Sequence, residues 1–196
     1  MKEMLIILFS AILVNNFVLS RFLGICPFLG VSNNLKTAMG MSTAVIAVLI
    51  LASAFTWPIF TFLLAPLGFG YLQTIVFILI IAALVQIIET ILKKSIPSLY
   101  QALGIYLPLI TTNCAILGVA ILNIDEGYTF LQSLVNALGA GLGFMLALFL
   151  FAGVRSRVDK ADIPQSLKGL PITLVSAALV SISFFGFKGL IERLFG

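Results

Sequence analysis

Cys26-Pro27-Phe28-Leu29-Gly30 and Cys114-Ala115-Ile116-Leu117-Gly118 share one frame, C-x-x-L-G, and together they hold both cysteines of the chain. The frames lie 88 residues apart in a chain of 196, close to half its length. That spacing reads as an internal repeat in which one site is built twice. Each frame also sits in an apolar stretch broken by residues that a straight helix avoids. Around the first lie Asn15, Asn16, Arg21, Gly24, Pro27 and Gly30. Around the second lie Gly104, Pro108, Thr111, Thr112, Asn113 and Gly118.

The composition sets the solvent. The chain is 61% hydrophobic and only 9% charged, where a soluble domain carries about 25% charged residues. The apolar runs are long and unbroken, unlike the alternating segments of roughly ten residues that build a barrel. An all-α integral membrane protein in a lipid bilayer is therefore expected. Met1-Lys2-Glu3 leads straight into an apolar run, so no cleavable leader is expected. The net charge of +4 lies beside the apolar segments and serves to orient them, so no nucleic-acid partner is implied. The chain has no His. Ser/His/Asp and Cys/His catalysis, H-E-x-x-H zinc sites and His-ligated haem drop out, and with no Walker motif ATP-driven transport does too. No catalytic residue is expected.

A spanning helix needs about 20 apolar residues. Six segments qualify: Met4–Phe22, Ala38–Leu64, Tyr71–Leu92, Leu99–Leu122, Thr129–Val154 and Leu170–Phe187. They form a single membrane domain, 1–196, of two three-span halves, 1–94 and 95–196. Three is odd, so the second half must be inserted upside down relative to the first. Inverted repeats place shared sites near the bilayer midplane. The stretch from Met4 to Ser32 would make a straight helix of about 43 Å against about 30 Å of hydrocarbon. Pro108 blocks a helical hydrogen bond in the fourth span. Spans 1 and 4 are thus expected to be broken or re-entrant, with their freed backbone groups buried in protein. Gly139, Gly141 and Gly143 in span 5 should let neighbouring helices approach closely.

Lys36, Lys93, Lys94, Arg155, Arg157, Lys160 and Lys168 follow spans 1, 3 and 5, with Arg21 nearby at the same side. The positive-inside rule puts that side in the cytoplasm and both termini outside. Trp57 then belongs to an outer aromatic belt. Glu89, the one acidic residue inside a span and one turn before Lys93, reads as half of an i,i+4 pair in preference to an ion-translocation role.

Cys26 and Cys114 are the leading site candidates. Free cysteines in membrane helices are often inert small hydrophobes. The shared frame and the irregular backbone favour metal ligation or redox chemistry instead. An iron–sulfur cluster or a structural zinc wants four ligands, so two thiolates are half a set and another polypeptide or a second copy must complete it. Asn15, Asn16, Thr111, Thr112 and Asn113 either line an ion path or cap half-helices. Without the cysteines, a secondary transporter or channel with inverted repeats and no metal would explain the pattern.

The flanking residues carry a resemblance. Val14-Asn15-Asn16-Phe17-Val18-Leu19 with Leu23-Gly24-Ile25-Cys26-Pro27-Phe28-Leu29-Gly30-Val31-Ser32 resembles the first span of the Rnf complex A subunits, and Leu103 to Ala115 resembles their fourth. Lys36 to Met41 and Asp162-Ile163-Pro164 extend the likeness along the chain. The sister family is the E subunit of the Na⁺-translocating NADH:quinone reductase. The resemblance implies a bacterial or archaeal inner-membrane component of an ion-pumping ferredoxin:NAD⁺ oxidoreductase, an enzyme complex in which this chain has no activity alone. It implies pairing with a homologous E subunit of opposite orientation, among other Rnf subunits. It also implies that Cys26 and Cys114 hold the iron of an intramembrane [2Fe–2S] cluster shared with that partner. Electron flow through it would be coupled to Na⁺ or H⁺ transport. A reporter active only in the cytoplasm should stay silent when fused after Gly196; activity there would invert the topology.

Overall fold

Asn15 and Asn16 end the first helix well before its apolar pattern does. The computed structural model describes residues 2–32, 35–95, 110 and 112–195. Helix α1 (Lys2–Phe9) widens into a π-turn over Ser10–Val14 and stops. The chain then leaves the helix through residues 15–24 and resumes as α2 (Ile25–Val31). Span 1 is therefore broken, and the helix expected to run through Phe22 stops eight residues earlier. The short polar amide of an asparagine competes with the helix for backbone partners, which is why the break starts there.

Helix α3 (Leu35–Ile59) runs on through a second π-turn, Phe60–Leu64, and a last turn, Ala65–Leu67. Pro58 lies near its end, one residue before the regular hydrogen-bonding ladder gives way. Helix α4 is Gln73–Ser95, α5 is Cys114–Asp125, α6 is Phe130–Val158 and α7 is Leu170–Phe195. No strand occurs among the described residues. Three stretches, Thr37–Leu67, Gly70–Ile91 and Phe130–Val158, are long and apolar enough to cross a membrane, and Cys114–Asp125 and Leu170–Gly186 are shorter apolar helices. Of the fourth expected span only Ile110 and residues from Thr112 on are described; Gly104, Pro108 and Thr111 lie outside the described residues.

Helix α6 is the central post. It runs antiparallel to α3, with Gly141 against Ile46 and the turn before Phe130 beside Trp57. The other face of α6 takes α1: Gly139 meets Leu8 and Ala11, and Gly143 meets Ala11, Ile12 and Asn16. A Cβ on Gly139 would sit 2.9 Å from that of Ala11, and one on Gly143 would sit 3.1 Å from the Ala11 carbonyl oxygen. The glycines expected to permit close approach thus do so on two faces at once. Phe28 of α2 stacks on Phe151 with ring centroids 4.4 Å apart, fixing the second half of the broken span further along the same post. Trp57 donates its indole N–H to the Tyr128 carbonyl at 2.8 Å and meets Phe130 edge-on, so it joins α3 to the α5–α6 turn.

The basic residues are not grouped as the charge pattern suggests. Arg21 lines a cavity with Glu126 and Tyr128 at the α5–α6 turn, whereas Arg155 lies toward the other end of α6. The reversal of the backbone after Asn16 carries Arg21 back towards the start of α6. It therefore does not belong with Lys36, Lys93 and Arg155.

Replacing Gly143 with Ala should destabilise the fold by about 1–3 kcal/mol through overpacking against backbone. The helical Gly153, with open space around its Cα, should gain up to about 1 kcal/mol from the same change. Thermal unfolding of the two variants in one detergent checks the contrast.

Candidate functional site

The break in span 1 has to satisfy its own backbone, because no water or lipid group does so inside an apolar core. Asn16, fully buried, supplies most of what is needed. Its Oδ1 accepts from the N–H groups of Val18 at 3.1 Å and Leu19 at 3.2 Å. Its Nδ2 donates to the carbonyls of Gly143 at 2.8 Å and Ile12 at 3.2 Å. Ser20 Oγ donates to the Val14 carbonyl, and Ser181 Oγ of α7 donates to that of Leu19. Leu23 N–H closes onto Phe17 O at 2.8 Å. Phe22 is held at a φ of +57°, which a bulky side chain adopts only under constraint, at a cost of about 1–3 kcal/mol. Gly24 follows at +81°, where glycine carries no such cost.

Gly24 is where the two frames meet. Its N–H donates to Cys114 Sγ at 2.9 Å. A Cβ at Gly24 would sit 3.1 Å from both Asn113 Oδ1 and Ala115 Cβ, so only glycine fits against the start of α5. One turn further along α5, Gly118 receives Leu23: a Cβ there would lie 2.6 Å from Leu23 Cδ1. Cys114 and Gly118 of the second frame thus grip the residues just before the first. Cys26 follows Gly24 by two positions, in the first turn of α2, and Cys114 opens α5. Both thiols are free and exposed on this chain.

Local sequence explains both helix starts. Pro27 sits in the first turn of α2, where its missing N–H has no intrahelical partner to lose. Asn113 caps α5, its Oδ1 accepting from Ala115 N–H at 3.0 Å. Its Nδ2 is buried with no partner among the described residues, a spare donor beside Cys114. At the far end of α2, Arg155 of α6 donates to the Leu29 carbonyl and to Ser32 Oγ, each at 2.7 Å, and faces Asp159 at 3.9 Å.

Cys114 and Asn113 therefore lie against Gly24, two positions before Cys26. Asn16 holds the break and Asn113 caps a helix, the structural alternatives for these two. Asn15 stands apart at the cavity that holds Arg21, with Nδ2 donating to Ser10 Oγ at 3.3 Å. Thr112 is exposed next to Asn113. Gly24 and Arg155 escaped the sequence reading as site residues; a glycine two positions before a cysteine and an arginine at a span end have other common explanations. A buried chain of Ser53, Asn123 and Asn136 was also missed, although three polar residues in apolar spans were visible. Among the described residues no group of three His, Cys, Asp or Glu side chains is placed to hold a metal.

A family model described as "Rnf-Nqr subunit, membrane protein" matches residues 4–191. The A subunit of the Na⁺-translocating ferredoxin:NAD⁺ oxidoreductase complex of Acetobacterium woodii is 60% identical over 187 residues, covering 95% of this chain and 97% of that one. The A subunit of the ion-translocating oxidoreductase complex of Syntrophotalea carbinolica is 56% identical over 191 residues, 97% and 99% of the two chains. The Vibrio atlanticus protein of that name is 52% identical over 192 residues, 98% and 100%.

Replacing Asn16 with Ala removes the acceptor of two N–H groups and the donor to two carbonyls and should cost more than about 3 kcal/mol. Replacing Asn15 with Ala should cost less than about 1 kcal/mol. Denaturation of the two variants in detergent checks the ranking.

Proposed function

Because the chain belongs to the Rnf-Nqr family of membrane subunits, we propose that it is the A subunit of an ion-translocating ferredoxin:NAD⁺ oxidoreductase and holds half the ligands of an intramembrane [2Fe–2S] cluster. The observation that supports this reading is the hydrogen bond from Gly24 N–H to Cys114 Sγ, which sets one cysteine against the residue two before the other, with both thiols exposed. Inert structural cysteines need neither proximity nor exposure.

The donor set fits half a cluster. A [2Fe–2S] centre takes four thiolates, and Cys26 and Cys114 are the two available. When bound, the cluster supplies a one-electron relay. The rest is the work of this chain's residues. Gly24 N–H and the free amide of Asn113 offer hydrogen-bond donors beside sulfur, one of the protein's levers on cluster potential. Arg155 fixes the far end of α2, so that Cys26 is held on a helix anchored at both ends. A homologous partner of opposite orientation, the E subunit, would supply the other two cysteines from a matching exposed face. The ion moved is Na⁺ or H⁺.

The same reading carries the topology. The halves 1–94 and 95–196 form an inverted repeat in the bacterial cytoplasmic membrane, with α2 and α5 starting near the midplane and running to opposite sides. With Arg21 moved to the outer side, seven basic residues remain inside against four outside, and both termini still face outward.

Cys26→Ser and Cys114→Ser should each remove one [2Fe–2S] EPR signal from the purified complex while its components stay assembled. An unchanged signal in either variant contradicts the reading.

A further inference from the structure

Helix α4 packs on α3 and α5 with one side only, through buried Phe77, Ile81 and Val85. The side opposite them faces away from the rest of the chain. At 3.6 residues per turn, Leu79, Gln86 and Thr90 fall on that outward side, and all three are exposed. Lys93 and Lys94 close the helix. Gln86 lies about 10.5 Å along the axis before Lys93, inside the apolar stretch Gly70–Ile91. Hydrocarbon offers an amide at that depth no hydrogen bond. Four other exposed polar side chains in apolar helices solve this problem locally. The hydroxyls of Thr43, Thr61, Thr90 and Ser183 each donate to the carbonyl four residues back, at 2.9, 2.9, 2.8 and 3.0 Å. The Gln86 side chain makes no hydrogen bond among the described residues; only its backbone carbonyl is engaged, by Thr90.

We propose that the outward side of α4 is an interface for a transmembrane helix of another membrane subunit, and that an amide side chain on that helix pairs with the amide of Gln86. A polar group facing lipid without a partner is costly. A second transmembrane helix supplies a partner at that depth, whereas a soluble protein stops at the headgroups. An amide answers an amide in full, since each gives an N–H to the carbonyl oxygen of the other. A charged partner would bring its own desolvation cost into the hydrocarbon. Ala82 and Ala83 lie one turn before Gln86. Side chains that small let a second backbone come close enough for short amides to meet. Thr90 adds nothing to the pairing, because its hydroxyl is already used within α4. The inference goes beyond the cluster reading. It concerns how the chain is held among other subunits, and it needs only that α4 lies in the membrane.

The test uses the intact complex purified in mild detergent and has two arms. A photoreactive benzoylphenylalanine in place of Leu79, two turns from Gln86 on the same side, should cross-link this chain on illumination to one other membrane subunit. Gln86→Leu, a side chain that suits lipid, should lower the retention of that same subunit through detergent washing by roughly three- to tenfold. Thr90→Val, on the same side, should leave retention unchanged. Should Gln86→Leu not accumulate, Gln86→Met, apolar and of similar shape, takes its place. Cross-linking to lipid alone, or to a second copy of this chain, overturns the proposal. So does a Gln86 variant that keeps the cross-linked subunit at the wild-type level.

Discussion

A chain that leaves a helix inside an apolar core must find a partner for every N–H and C=O it frees, and here one side chain meets most of that demand. Asn16 uses both amide hydrogens and its oxygen on four backbone groups from α1, the break and α6. Each such group left unpaired would cost about 1–3 kcal/mol. The break exists because Asn16 satisfies it, and its position is set by Gly143, whose missing side chain admits the amide. Everything nearer the cysteines hangs from this arrangement, including the strained Phe22, the left-handed Gly24 and the start of α2.

From that fixed point the site follows by contact. Gly24 presents its N–H to Cys114, Leu23 fills the space over Gly118, and Asn113 caps α5 against the same glycine. Both cysteines emerge at helix starts, where rigid backbone sets their direction. Arg155 and the Phe28–Phe151 stack hold the other end of α2 to α6. The arrangement is preorganised on this chain, with both thiols exposed. A rigid pair of exposed thiols is what the proposed intersubunit centre requires.

Much of this was legible in the sequence. The asparagines, glycines and proline in the first apolar stretch pointed to a broken span 1, and the helix does stop at Val14 and resume at Ile25. Close approach at Gly139, Gly141 and Gly143 was readable from spacing alone. What sequence could not separate was Asn15 from Asn16. Adjacent and identical, they differ only in which way the backbone turns each one, and the first faces a cavity while the second is wholly buried. Arg21 was misplaced for a related reason: hydropathy counts assume a straight crossing, and the reversed backbone carries that side chain back to the α5–α6 turn. The Ser53–Asn123–Asn136 chain needed three helices to meet, which no local pattern encodes. Trp57, expected at an interface, spends its N–H on holding a turn.

The central claim is that Cys26 and Cys114 are two ligands of one centre completed by a partner. Iron and acid-labile sulfide analysis of this chain, purified together with its homologous partner and without the rest of the complex, tests it most directly. The account predicts about two irons and two sulfides per pair. A pair that is intact, stably associated and free of both would contradict it.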